Sequence, residues 1–131
     1  MNIRVVLTFS ALLALAVLVS GCASTYYDDL WALNKRVSHR FTYVSDMKKH
    51  GVIEYHEKGI TGNDKFSGDC EEYAFAIKYQ LARAGINATV WHVYDGVGGH
   101  AVTCTEDGYC LDHKQSPRRR EDTGYEFIKA L

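Results

Sequence analysis

The sequence predicts a single α+β domain in which one long helix packs on a small antiparallel sheet. Apolar side chains recur at helical spacing over residues 69–84, residues 87–94 form a β-prone run, and residues 100–113 have the pattern of a hairpin. The chain has 131 residues, enough for one domain, and its 47% of apolar residues excludes a disordered chain.

The first 21 residues have the pattern of a secretory signal peptide. The charged residue Arg4 precedes an uncharged, apolar stretch at residues 5–19, which is shorter than the roughly 17–25 residues of a membrane-spanning helix. The small residues ahead of Cys22 resemble the bacterial lipobox, in which the cysteine is lipidated and becomes the first residue of the mature protein. An ordinary secretory signal that happens to contain Cys22 is the alternative.

Lipidation would place the protein in the bacterial cell envelope. By resemblance to lipoprotein sorting signals, Ala23 after the cysteine favours the outer membrane, with the domain facing the periplasm. We therefore expect a signal peptide at residues 1–21, a lipidated tether at residues 22–29 and the folded domain at residues 30–131. Because this compartment is oxidising, disulfide bonds are permitted there.

Periodicity and composition assign the segments ahead of the long helix. Apolar residues at helical spacing predict a first, amphipathic helix; they are Leu30, Leu33, Val37 and Phe41. Residues 41–44 could begin an extended segment, and residues 51–68, with four glycines and many charges, are expected to form mostly loop. Trp31 and Trp91 are expected in the core.

The long helix begins with a cysteine among acidic residues. Its apolar face carries Cys70, Ala74, Ile77, Leu81 and Ala84, and Gly85 follows where a glycine typically ends a helix. Asp69, Glu71 and Glu72 lie at the helix start, where carboxylates stabilise the helix dipole by roughly 0.3–1 kcal/mol each without any metal.

The predicted hairpin pairs two further sets of residues. Residues 106–108, Glu-Asp-Gly, suit a three-residue loop with Gly108 in a left-handed conformation. That loop places Cys104 opposite Cys110, and it puts His100 and Asp112 on the same face as diagonal neighbours. We expect a Cys104–Cys110 disulfide, with two buried thiols as the alternative. The last residues could add a strand or a short helix.

Cys70, His100 and Asp112 together have the composition of a nucleophilic site. The thiolate is the reactive form of cysteine, and a helix N-terminus lowers the pKa of a thiol. Carboxylates that flank Cys70 would raise its pKa if no cation offset them. A histidine base would complete the activation, and a carboxylate would orient the base. Taken singly, Cys70 could be a buried small side chain, His100 a strand end and Asp112 a turn residue.

Three short segments resemble the bacterial transglutaminase-like cysteine proteinases, whose known members include periplasmic proteases that cleave large surface adhesins. The segments are residues 67–74, 98–102 and 111–112, and residues 33–34 and 41–46 are similar to the family's first helix and following segment. The resemblance implies a papain-like fold of the transglutaminase-like kind. It also implies that Cys70 is the nucleophile, that His100 is the general base and acid, and that Asp112 orients His100.

The resemblance also bears on metal binding. Asp69, Glu71 and Glu72 match positions that bind calcium in the adhesin-cleaving members, so calcium binding and a metal-free helix-dipole role both stay open. The chain departs from the family in three ways. It lacks the usual Trp and Thr-Pro-x-Glu stretch over residues 56–66, it has His113 where Asn often follows the Asp, and it has Glu72 in place of an Asp.

The function predicted is that of a lipid-anchored envelope cysteine peptidase acting on an envelope protein or peptide. A thiol acyltransferase would use the same nucleophile, and a non-catalytic envelope binding module, encoded by a phage or prophage, is the alternative from another class. Nucleic acid is not an expected partner, because the net charge is −1 and the one dense basic run, residues 118–120, is expected to be a solvated face. No further cofactor is expected.

Overall fold

The computed structural model describes residues 25–51 and 59–131. The predicted signal peptide, Cys22 with its lipidation, and the first part of the tether lie outside these residues. The described chain forms two sheets and three α-helices, which confirms the predicted α+β class. In chain order the elements are α1 (Tyr26–Arg40), β1 (Phe41–Tyr43), α2 (Asp46–His50), β2 (Phe66–Gly68), α3 (Cys70–Arg83), β3 (Ala88–Tyr94), β4 (Gly99–Thr105), β5 (Tyr109–Leu111), β6 (Arg118–Arg119), a 3-10 turn (Arg120–Asp122) and β7 (Glu126–Ala130).

The first helix begins at Tyr26, four residues ahead of the predicted domain boundary at Leu30. Thr25 and Asp28 form a capping box, in which each side chain accepts a hydrogen bond from the other residue's backbone N–H. This cap satisfies backbone donors that would otherwise be exposed at the helix start. Tyr26 to Asp29, which were predicted to belong to the tether, are helical.

Helix α3 lies between α1 and the main sheet. One side of it packs on α1 in a core cluster that contains Leu30, Leu33, Val37, Tyr73, Ala76, Ile77 and Leu81. Its other side packs on strands β3 and β4 through Ala74, Val90 and Ala101. Thr103 on β4 donates a hydrogen bond of 2.6 Å to the backbone oxygen of Ala74. The N-terminal part of α3 is thereby held against β4.

The main sheet has five antiparallel strands in the order β6-β5-β4-β3-β7. The hairpin register pairs Cys104 with Cys110, and Gly108 in its loop has a φ of 92°, as the three-residue loop predicted. Cys104 and Cys110 form a disulfide, and Cys70 is the free cysteine among the described residues.

The far face of the sheet carries a second apolar cluster of Val93, Val102 and the two half-cystines, against which Trp91, Tyr125 and Phe127 pack. The guanidinium of Arg120 lies over the rings of Trp91 and Phe127, at 4.5 and 3.9 Å from their centroids. The expectation of a buried Trp31 is wrong, because its side chain is 42% exposed on the outer face of α1. The described helices include none that is both apolar enough and long enough to span a membrane.

A short parallel sheet adds strand β2 at the end of residues 51–68, the segment that the sequence predicted as mostly loop. Strand β2 pairs with β1, with Phe41 opposite Phe66 and Tyr43 opposite Gly68. The pairing continues past the strands, since the backbone N–H of Val44 donates to the oxygen of Gly68 at 2.7 Å. Because the strands run in the same direction, the residues that follow each strand come together at one end of the sheet.

Candidate active site

Cys70 is the first residue of α3, with Asp69 as the N-cap. Its half-buried side chain packs against Ala74, Val90 and Ala101. The backbone of Ala101 also acts to lower the pKa of the thiol. Since Ala101 directly follows His100, the packing of α3 on β4 brings the thiol next to the strand segment that carries the histidine.

The charge environment of the thiol differs from the expectation for a helix N-terminus. Burial, and after it the Asp69 carboxylate, raises the pKa of the Cys70 thiol to about 12, although the N–H of Ala101 acts in the opposite direction. In the protein without a bound cation, desolvation and a neighbouring carboxylate therefore outweigh the helix terminus, which by itself would lower the pKa of the thiol. The resting thiol is protonated at neutral pH, and it needs a base.

His100 and Asp112 meet as the hairpin register predicts. Nε2 of His100 lies 3.4 Å from Oδ2 of Asp112, and both side chains are almost fully buried. With Nε2 directed at the carboxylate, Nδ1 is the ring nitrogen that remains to act on a thiol. The pair therefore has the arrangement in which a carboxylate fixes the tautomer and orientation of an imidazole.

The carboxylate of Asp112 accepts hydrogen bonds on both oxygens. Oδ1 accepts from the backbone N–H groups of Lys114 and Gln115, at 2.7 and 2.8 Å. Oδ2 accepts a bond of 2.7 Å from the hydroxyl of Tyr125. Burial would raise the pKa of Asp112, yet the bonds from His100, Tyr125 and Gln115 outweigh it and hold the pKa below its ordinary value. Asp112 therefore stays ionised although it is buried.

Tyr125 is a functional candidate that the sequence analysis missed. Besides its bond to Asp112, its ring makes an edge contact with His100 at 5.5 Å between centroids, and Gln115 Nε2 donates to its hydroxyl. It lies just ahead of β7, which pairs with β3 at the edge of the sheet. No local pattern marks this tyrosine, because the pairing that brings it to Asp112 joins residues far apart in the chain.

Asn34 ties the site to the two helices. Its buried amide donates to the backbone oxygen of Asp112 at 3.2 Å, and its side-chain oxygen accepts a bond of 2.6 Å from the hydroxyl of Tyr73 on α3. Every polar group in this chain of contacts is buried and bonded, which is the condition under which such a network makes a protein rigid. The helix of the thiol and the residue that orients the base are thereby fixed to the same side chain.

His113 fills an aromatic pocket beside the pair. Its ring stacks on Tyr43 at 5.5 Å and meets the ring of His100 at 5.4 Å; it also contacts Phe41 and Tyr73. Burial first, and then the charge on His100, lowers the pKa of His113 to about 4. His113 is therefore neutral at physiological pH, and it acts as an aromatic wall rather than as a charge.

The structure changes the predicted calcium set of Asp69, Glu71 and Glu72. Carboxylate oxygens of Asp46, Asp69 and Glu72 lie within 4.8 Å of one another, while Glu71 is outside this group. The reason is geometric. Asp69 and Glu72 are three residues apart and share a helix face, whereas Glu71, two residues after Asp69, points elsewhere. Asp46 arrives from the residues after β1, next to the residues after β2. We call these three residues the acidic cluster.

The acidic cluster also caps α3. Asp69 N–H donates to Glu72 Oε2 at 2.8 Å, and Asp69 Oδ1 accepts from the N–H of Glu71 at 2.9 Å. A side chain at Gly68 would collide with Glu72, because its Cβ would lie 2.6 Å from Cγ of Glu72. Burial, and then the contact with Glu72, raises the pKa of Asp69 to about 8. Carboxylates this close fit a divalent cation, whose oxygen ligands stand at 2.3–2.6 Å from calcium.

The family model described as bacterial transglutaminase-like cysteine proteinase matches residues 19–130 of the chain. A search of the curated proteins finds no match.

Tyr125→Phe tests whether the tyrosine hydroxyl positions the Asp112–His100 pair. Loss of one hydrogen bond to a charged group should slow alkylation of Cys70 by iodoacetamide about tenfold. Because that bond helps to lower the pKa of Asp112, the acid limb of the alkylation rate should also move to higher pH.

The matched control is Tyr94→Phe, which removes a hydroxyl that bonds the backbone of Gly96 instead. It should leave both the rate and the pH profile unchanged. A Tyr125→Phe protein with the wild-type pH profile would contradict the positioning role, even if its thermal stability had fallen.

Proposed function

Because the chain belongs to the bacterial transglutaminase-like cysteine proteinases, we propose that it is a peptidase whose triad is Cys70, His100 and Asp112. The observation that carries the proposal is the buried contact of 3.4 Å between His100 and Asp112, one residue along β4 from Ala101, against which Cys70 packs. These are the three residues for which the sequence predicted nucleophile, base and orienter.

The proposed reaction begins with proton transfer from Cys70 Sγ to His100 Nδ1. The thiolate attacks the carbonyl carbon of the scissile peptide bond, and the imidazolium formed is stabilised by Asp112 at Nε2. The departing amine takes the proton from His100, which leaves a thioester on Cys70. His100 then takes a proton from water, whose oxygen attacks the carbonyl carbon of the thioester. The carbon–sulfur bond breaks, His100 returns the proton to Sγ of Cys70, and the carboxylic acid product is released.

The high pKa of the Cys70 thiol gives His100 its role in this scheme. A thiol with a pKa of about 12 is almost entirely protonated at neutral pH, so the attack depends on the base. The same thioester could pass to an amine instead of water, in which case the protein would be an acyltransferase. Both outcomes share the nucleophile and the base.

Calcium is proposed as a ligand of the acidic cluster rather than of the predicted set. Calcium takes six to eight oxygen ligands, and Asp46, Asp69 and Glu72 would supply three carboxylates, two of them buried. A cation there would offset negative charge beside Cys70 and brace the start of α3. The residues present therefore fit the ion by ligand type and spacing.

The location proposed is the bacterial envelope, with the protein anchored by lipid at Cys22 to the outer membrane and facing the periplasm. The support is the apolar stretch at residues 5–19 and the small residues before Cys22. The expected substrate is a protein or peptide of that compartment.

Single substitutions of the triad test the proposed peptidase. Cys70→Ala and His100→Ala should each remove nearly all cleavage of casein or of an envelope protein, and the double variant should be scarcely worse, because nucleophile and base act as a unit. Asp112→Asn should fold but lose activity, since the imidazole is no longer held in its tautomer.

His39→Ala is the histidine control, because His39 lies exposed on α1. It should cleave like the wild type, and circular dichroism should give the same spectrum for all variants. If His100→Ala cleaves as fast as the wild type, the cysteine mechanism is wrong. If the wild type neither cleaves substrate nor reacts with a thiol probe in a His100-dependent way, the protein is a binding module.

Calcium binding is tested by removing one carboxylate at a time. Calcium at about 100 times its dissociation constant should stabilise the metal-stripped protein by about 2.7 kcal/mol, which a thermal melt detects. Asp46→Asn should abolish the shift, whereas Glu71→Gln, which removes the same charge outside the acidic cluster, should keep it. If neither calcium nor chelator changes the melting temperature of the metal-stripped wild type, the acidic cluster only caps the helix.

Lipidation is tested at Cys22. Cys22→Ala should accumulate as an unprocessed precursor and should incorporate no radiolabelled palmitate in cells. Cys70→Ala, a cysteine control in the folded domain, should be processed and labelled normally. Persistent labelling of Cys22→Ala would refute the anchor.

A further inference from the structure

A basic groove lies beside the catalytic pair, between the outer face of α1 and the segment that follows β5. It encloses about 460 Å³, within the range of 300–1,000 Å³ in which proteins bind ligands. Trp31 and Lys35 line it from α1, and Lys114 and Arg118 line it from the opposite wall. Cys70 and His100 do not line it, so the groove contains neither the proposed nucleophile nor the proposed base.

The charges that line the groove are unbalanced. Lys35 and Arg118 are exposed, and within residues 25–51 and 59–131 neither joins an ion pair. Lys114 bonds Asp95 at 2.6 Å. The carboxylate of Asp112 is buried and is occupied by His100, Tyr125 and backbone N–H groups. The groove therefore presents two uncompensated cations.

An exposed tryptophan lies among these charges. The ring of Trp31 is 42% exposed, and the ammonium group of Lys35 stands 4.7 Å from its centroid. Tryptophan and arginine are among the residues that contribute most to binding at protein–protein interfaces. This surface fits a peptide whose side chains carry both carboxylates and apolar methylene groups.

The groove adjoins the catalytic pair. Asp112 and His113 form part of its wall, and the ring of His113 contacts the ring of His100 at 5.4 Å. A chain that occupies the groove therefore runs close to the residues that act on the scissile bond. A bilayer is a flat partner, whereas the cations here line a concave surface.

We propose that this groove binds an acidic, extended segment of the protein substrate, outside the catalytic cleft. That the bound segment belongs to a substrate rests on the proposed peptidase function. Binding of the segment itself requires no turnover. It assigns to Lys35, Arg118 and Trp31 the recognition of carboxylate-rich sequence next to the cleavage site.

The test measures binding of fluorescein-labelled hexaglutamate peptide to the full chain in the Cys70→Ala background. Fluorescence anisotropy should detect binding that weakens with salt, and a hexaglutamine peptide should bind far less. Lys35→Ala and Arg118→Ala should each raise the dissociation constant about three- to fivefold. Lys78→Ala, which removes an exposed cation on α3 that does not line the groove, should leave it unchanged.

The outcomes separate the groove from the active site. Equal peptide affinity in Lys35→Ala, Arg118→Ala and Lys78→Ala would overturn the proposal, as would variants that lose binding only to phosphatidylglycerol vesicles, since the groove would then contact lipid. If the groove variants weaken peptide binding while the wild type cleaves nothing, the acidic recognition stands and the peptidase assignment fails. If it cleaves, Lys35→Ala should raise KM for a glutamate-rich substrate and leave kcat unchanged.

Discussion

The buried carboxylate of Asp112 is the constraint on which the site depends. It accepts four hydrogen bonds: from His100, from Tyr125 and from two backbone N–H groups. Its backbone oxygen accepts a fifth from Asn34, which is also bonded to Tyr73 on α3. An ionised group without partners would be costly in this position. The segment that carries Tyr125, the hairpin, α1 and α3 therefore all meet at the residue that orients the histidine.

The sequence was sufficient to predict an element wherever the pattern that marks it lies within one short segment. Helical spacing marked α3, the Glu-Asp-Gly triplet set the hairpin loop, and the loop length then paired Cys104 with Cys110. It was insufficient where distant segments meet. The parallel pairing of β1 with β2 brings Asp46 to Asp69, and the docking of the tail brings Tyr125 to Asp112. The periodicity of the sequence predicts neither contact, because the pairing of parallel strands and the docking of an edge strand do not change the pattern of apolar residues within each segment.

The thiol illustrates a competition that the sequence could not resolve. Its place at a helix N-terminus favours the thiolate, whereas burial and the Asp69 carboxylate favour the thiol, and the second pair of effects prevails. The same carboxylate caps α3 with Glu72, so it cannot be removed without weakening the start of the helix. As long as no cation balances its charge, the Asp69 carboxylate therefore stabilises the start of α3 and at the same time lowers the reactivity of Cys70.

Helix α1 serves two surfaces because its faces differ. Its inner face packs Leu30, Leu33 and Val37 on α3 and directs Asn34 at Asp112, so α1 fixes the distance between the helix of the thiol and the orienting carboxylate. Its outer face directs Trp31 and Lys35 into the basic groove. Residues three and four apart share a helix face. Because the apolar residues of α1 occupy the inner face, Trp31 and Lys35 lie together on the outer face. The packing that orients the base thus also sets the position of the groove beside it.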